Sequence, residues 1–149
     1  MKTLFIFSIV LLNLVFQEAK EPFNKANVIK IQTNLEGNES FIKWGKHLTQ
    51  NGYSIDKSNI DFLTIETSPR DTRRFNYEYK VFSSIDEKGV ITITIKWRLK
   101  SNLIVGTKGT DYYDWEYAQA KGNVQKIIFD ELYETILSFG DYVVFFEKR

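Results

Sequence analysis

The chain has 149 residues with a formal net charge of +1, 43% hydrophobic and 15% aromatic content, one histidine and no cysteine. Without cysteine there is no disulfide framework, no thiolate nucleophile, no Cys-ligated zinc or iron–sulfur cluster and no lipidated N-terminal cysteine, so a lipoprotein is excluded. A single histidine excludes a His-pair metal site, near-neutral charge argues against binding nucleic acid through bulk electrostatics, and the apolar content with only two prolines argues against disorder.

Lys2 supplies a positive start to Leu4–Phe16 (LFIFSIVLLNLVF), an apolar stretch interrupted only by Ser8 and Asn13. It matches a signal-peptide core and is shorter than the roughly 20 apolar residues that a membrane-spanning helix needs. The expectation is a signal peptide over residues 1–19, cut after Ala19, and export to the periplasm or beyond; Gln17 stands where a small residue is preferred at such a cut, so an uncleaved N-terminal anchor or a buried helix is the alternative. A mobile lead-in follows over residues 20–25, then a single domain over 26–149, a length that supports one core without covalent staples.

Val28 to Thr33 (VIKIQT) is short and β-branched and reads as a strand. From Asn38 the period changes. Phe41, Trp44, Gly45 and Leu48 recur at helical spacing, Asn38 or Ser40 can cap the start, and Asn51-Gly52 supplies the stop. The sequon-like Asn38-Glu39-Ser40 is read as that helix cap. Ile60 to Thr67 (IDFLTIET) reads as a strand closed by Ser68-Pro69, and Arg70 to Arg74 as a polar loop.

The region from Arg74 to Leu99 is the clearest. Phe75, Tyr77, Tyr79, Val81, Ser83 and Ile85 share one face, as do Ile91, Ile93, Ile95, Trp97 and Leu99, which predicts a half-buried antiparallel hairpin. Both odd-numbered sets must face the core, so a loop of two or four residues is excluded by parity. Glu87-Lys88-Gly89, closed by Asp86 opposite Val90, fits a type I turn with glycine in the left-handed position. Tyr79 then faces Trp97 and Val81 faces Ile95 in the core, while Glu78 faces Arg98 and Lys80 faces Lys96 outside.

Ser101 to Gly122 lacks a consistent period, and so long a segment implies a role or local structure of its own. Val124, Ile127, Ile128, Leu132, Ile136 and Phe139 mark a second amphipathic helix stopped by Gly140, and Tyr142 to Phe146 (YVVFF) a last strand. The order β-α-β-β-β-α-β, with one apolar stripe per helix and one apolar sheet face, predicts a two-layer α+β domain: a curved antiparallel sheet with both helices on one face.

The helix FIKWGKHLTQNGY (Phe41 to Tyr53), the strand IDFLTIET and the strand ITITIKW (Ile91 to Trp97) resemble a family of small exported domains common in Bacteroidota, described as having a fold like the TATA-binding protein. The resemblance spans roughly residues 26–140. It implies a curved sheet with helices on one side and carries no catalytic residues, and a likeness of fold does not convey function.

Three constellations are candidates. His47 lies beside Lys43 and Gln50 on the helical wheel, away from the Trp44/Leu48 stripe, and reads as a solvated helix residue. Asp111, Asp114 and Glu116, interleaved with Tyr112, Tyr113, Trp115 and Tyr117, have the chemistry to hold a sugar or calcium, although the spacing is not that of an EF-hand. The simpler reading is that these aromatics anchor the long loop on the core while the acids face water. On the hairpin's polar face Lys80 opposes Lys96, with Arg98 and Lys100 beside them and Glu78 as the only acid nearby. Like charges opposed across strands are mildly destabilising, so a face that keeps them suits an anion, and Arg70, Arg73 and Arg74 would strengthen the patch if they converged on it. The simpler reading is a solvated face that discourages edge pairing.

The resulting expectation is a non-enzymatic exported domain, monomeric or weakly oligomeric, without cofactor or bound metal. Its binding residues are Lys80, Lys96, Arg98 and Lys100 with Asp111, Asp114, Trp115 and Glu116, and its partner is an envelope protein, a lipid headgroup or a glycan. The alternative is a carbohydrate- or calcium-binding protein using 111–117.

Overall fold

The computed structural model describes residues 22–74, 76–100, 111–140 and 142–149, so the signal-like segment lies outside the described residues. The lead-in is tied down from Pro22 onward. Pro22 is buried, Ala26 N donates to Phe23 O at 3.0 Å, and Lys25 N donates to Tyr117 O at 2.9 Å.

Among the described residues the order is β1 (Val28–Gln32), α1 (Gly37–Gln50), β2 (Ile55–Asn59), β3 (Thr64–Thr67), β4 (Arg70–Asp71), β5 (Tyr77–Ile85), β6 (Val90–Leu99), β7 (Tyr113–Asp114), α2 (Val124–Leu137) and β8 (Val143–Glu147). The strands form one curved, unclosed antiparallel sheet in the order β2-β3-β5-β6-β1-β8. β4 continues the β3 edge along β5 beyond Ser68-Pro69. β7 takes the edge of β6 where β1 leaves it. Trp44 and Leu48 of α1 and Ile128, Leu132 and Ile136 of α2 pack with Ile29, Ile31, Tyr79, Val81, Ile91, Ile93 and Ile95 in one core. Both helices therefore cover the odd-numbered face, and each such large apolar side chain contributes about 1.5–3 kcal/mol by leaving water.

The hairpin register is the expected one: Tyr79 pairs with Trp97, Val81 with Ile95, Glu78 with Arg98 and Lys80 with Lys96. At its turn Asp86 N donates to Val90 O at 3.1 Å and Gly89 has φ +77. The turn is also joined to the start of α1, because Thr33 Oγ1 donates to Gly89 O at 2.9 Å and lies 2.7 Å from Ser40 Oγ. Ser40 is thus a buried partner of Thr33, and the helix cap is Glu36, whose side chain makes no capping hydrogen bond. The expected cap at Asn38 or Ser40 lies instead inside the first turn.

A further expectation is corrected. Of the strand expected over Ile60 to Thr67 only β3 is strand: residues 60–63 form a turn, in which Asn59 Oδ1 accepts from Asp61 N and Phe62 N, and it joins β3 to the preceding β2. The polar Ile55–Asn59 segment lacks an apolar alternation and is held by backbone pairing with β3. The 111–117 stretch has a strand of its own in β7.

Candidate functional site

The residues that the helices leave uncovered are the even-numbered positions of β5 and β6 and their neighbours. One row across the sheet runs Thr64, Ser84 and Thr92, and the next runs Glu66, Phe82 and Thr94. With adjacent strands about 4.8 Å apart, each row presents side chains at that interval. Together with Lys57, Ser58 and Arg149 these rows line a cleft of about 480 Å³. The side-chain hydroxyls of Ser58, Thr64, Ser84, Thr92 and Thr94 have no protein hydrogen-bond partner among the described residues. The volume lies within the usual range of small-ligand sites, about 300–1,000 Å³.

The expected cationic patch occupies the neighbouring half of the same face, and each of its charges has a partner. Lys80 Nζ donates to Glu66 Oε1 at 3.0 Å and lies 3.7 Å from Asp56. Lys96 lies 3.7 Å from Asp114, and Lys100 Nζ donates to Asp71 Oδ2 at 2.6 Å. Arg98 Nε donates at 2.5 Å to Glu78, which is buried, and its guanidinium lies 4.6 Å from the Tyr112 ring centre. The expectation that Glu78 is the only acid nearby is therefore overturned, since β2, β3, β4 and β7 bring four more carboxylates. The Glu66 carboxyl is held below the usual range mainly by its hydrogen bond to Lys80.

The acidic-aromatic segment separates by face. Tyr112 and Asp114 lie on the open side, where the Tyr112 hydroxyl donates to Glu78 Oε1 at 2.8 Å. Burial and this acceptor push the phenol up to about 12. Trp115 lies on the helix side, buried, with its indole N–H donating to Gln125 O at 2.7 Å and its ring stacked on Phe129. It is no platform for a sugar. Asp111 and Asp114 are exposed and Glu116 half-buried. Among the described residues no group of three His, Asp or Glu side chains is placed to hold a metal ion.

The arginines do not converge on the open face. Arg70 donates to Asn51 O at 2.9 Å and lies over the Tyr53 ring, while Arg73 reaches Glu134 at 3.1 Å. His47 is half-buried rather than solvated. Its Nε2 lies 2.7 Å from Thr135 O, and the ring packs on Trp44 and Phe139 between the last turns of the two helices. The cleft itself escaped sequence reasoning because its near wall comes from β2. The signal that could have located it is the run of hydroxyls at alternate positions, Ser84 on β5 and Thr92 and Thr94 on β6.

Here the fold and the cleft define the class: an α+β domain with an open, hydroxyl-lined sheet face. No family model and no curated protein matches the chain.

Proposed function

We propose that this is an exported, non-enzymatic binding domain that takes its partner on the open sheet face, in the cleft floored by Phe82, Ser84, Thr92 and Thr94. The observation that carries the reading is a cleft of about 480 Å³ in which the hydroxyls of Ser58, Thr64, Ser84, Thr92 and Thr94 have no protein partner among the described residues, on the sheet face that no helix covers. The signal-like start supports export. The likeness of three segments to small exported domains agrees with this reading. The ion pairs of Lys80, Arg98 and Lys100 support a non-catalytic role, since they hold the neighbouring segments in place around the cleft. Lys80, Lys96, Arg98 and Lys100 are not among the residues lining the cleft, and in this reading the contact moves from them to the neighbouring floor.

Thr94→Trp is the test, because it fills the cleft from the floor without touching the core. The protein is immobilised, exposed to envelope and culture-fluid fractions, and its captured partner identified. The expected result is loss of that partner by the folded Thr94→Trp protein and retention by Lys96→Gln. Equal capture by wild type and Thr94→Trp defeats the proposal.

A further inference from the structure

We infer that the cleft recognises an acidic saccharide, with Phe82 beneath a sugar ring, the hydroxyl row reading ring substituents, and the Arg149 guanidinium taking the carboxylate. This rests on the proposed use of the open face.

The floor dictates the ligand chemistry. Within the sheet the backbone of β5 and β6 is consumed by pairing, so the floor of the cleft cannot bind an extended peptide by adding a strand. What it offers is side chains: the hydroxyls of Thr64, Ser84 and Thr92 in one row, and Phe82 between Glu66 and Thr94 in the next. Each hydroxyl is both donor and acceptor, and matches a ligand that is itself dense in hydroxyls. The half-buried Phe82 ring, set among hydroxyl side chains and with Lys96 Nζ 5.9 Å from its centre, suits the apolar C–H face of a sugar.

The charge comes from the rim. Among the described cations lining the cleft, Lys57 is paired with Glu66 at 3.4 Å, while Arg149 makes no ion pair. Its backbone is held by Asn27, with Arg149 N donating to Asn27 Oδ1 at 2.8 Å and Asn27 Nδ2 donating to Arg149 O at 3.2 Å. Arg149 thus lines the cleft from a held backbone, and the planar fork of a guanidinium suits a carboxylate. Among the described residues Glu66 is the one side-chain carboxylate lining the cleft, and it is paired with Lys57 and Lys80. The charged side chains that line the cleft, Lys57, Arg149 and Glu66, sum to +1, which favours an anion.

The test is calorimetric and NMR titration with tetragalacturonate, with maltotetraose as the neutral counterpart, acetate as the bare anion and phosphatidylglycerol vesicles as the lipid arm. Tetragalacturonate is expected to bind in preference to all three and to shift the amides around Phe82 and Thr94. Arg149→Gln should weaken it about tenfold without changing the response to maltotetraose, and Phe82→Ser should weaken it by a similar factor. Equal binding of the acidic and neutral sugars, equal binding of acetate, preference for the vesicles, or amide shifts confined to 111–117 each overturn the inference. So does the absence of any tetragalacturonate binding. If Thr94→Trp still abolishes partner capture in that case, only the saccharide assignment falls and the open-face reading stands.

Discussion

His47 and Tyr112 show how far a side chain's role depends on what packs against it. The wheel places His47 correctly relative to its own helix, but α2 reaches that side and presents the carbonyl of Thr135, so the ring becomes a link between helix ends. Tyr112 is a second case. Burial and the neighbouring Glu78 carboxylate favour the neutral phenol, raising it from the usual value near 10 to about 12. A raised phenol contributes stability that is fully present below about 10 and is lost as pH climbs through about 12. Phenolate absorbance of the folded protein is expected to show a late-titrating component that loses one tyrosine in Tyr112→Phe. An unchanged late component would mean that Tyr112 does not face Glu78.

At the scale of elements, the β5–β6 hairpin was the most legible part of the chain. Parity and a three-residue turn with glycine determine its register, because each face of a strand repeats every two residues. Unforeseen was the packing of that turn beneath the β1–α1 connection. A Cβ on Gly89 would lie 1.9 Å from Leu35 O, whereas one on Gly122, with a similar φ of +82, has nothing within 4 Å. Both substitutions to alanine carry the left-handed penalty of about 1–2 kcal/mol, and Gly89→Ala adds the cost of displacing the loop, for a total of about 3 kcal/mol or more. Urea denaturation of the two variants checks this, and equal losses would show that the connection does not press on the turn. The single strand expected over residues 60–67 failed for a related reason. β2 is polar, so hydropathy carries no trace of it, and only its ladder with β3 makes it a strand.

At the scale of the molecule, strand order governs both stability and surface chemistry. β3, β5, β6 and β1 are interior, and β2 and β8 form the edges. Hydrogen exchange is expected to be slowest in β6, flanked along its length by β5 and by β1 and β7, and fastest in β2. Protection of β2 equal to that of β6 would contradict this order. The same order accounts for the electrostatics. Read as an isolated hairpin, the polar face is a row of cations. Within the sheet, β2, β3, β4 and β7 deliver Asp56, Glu66, Asp71 and Asp114 to it. The charged half of the face becomes a braced frame, and the unpaired hydroxyls lie beside it in the cleft.

The amino-acid sequence by itself determined which residues form the two helices and the central hairpin, which sheet face is buried and the two-layer α+β class, because these follow from periodicity and turn chemistry within a few residues of chain. Only the tertiary structure decided which carboxylate meets which lysine and that the open face contains a cleft. Those outcomes depend on strand neighbours far apart in the chain, such as Lys80 beside Glu66 and Lys100 beside Asp71. The period of a strand specifies where its own side chains point and contains no information about the strand that lies next to it.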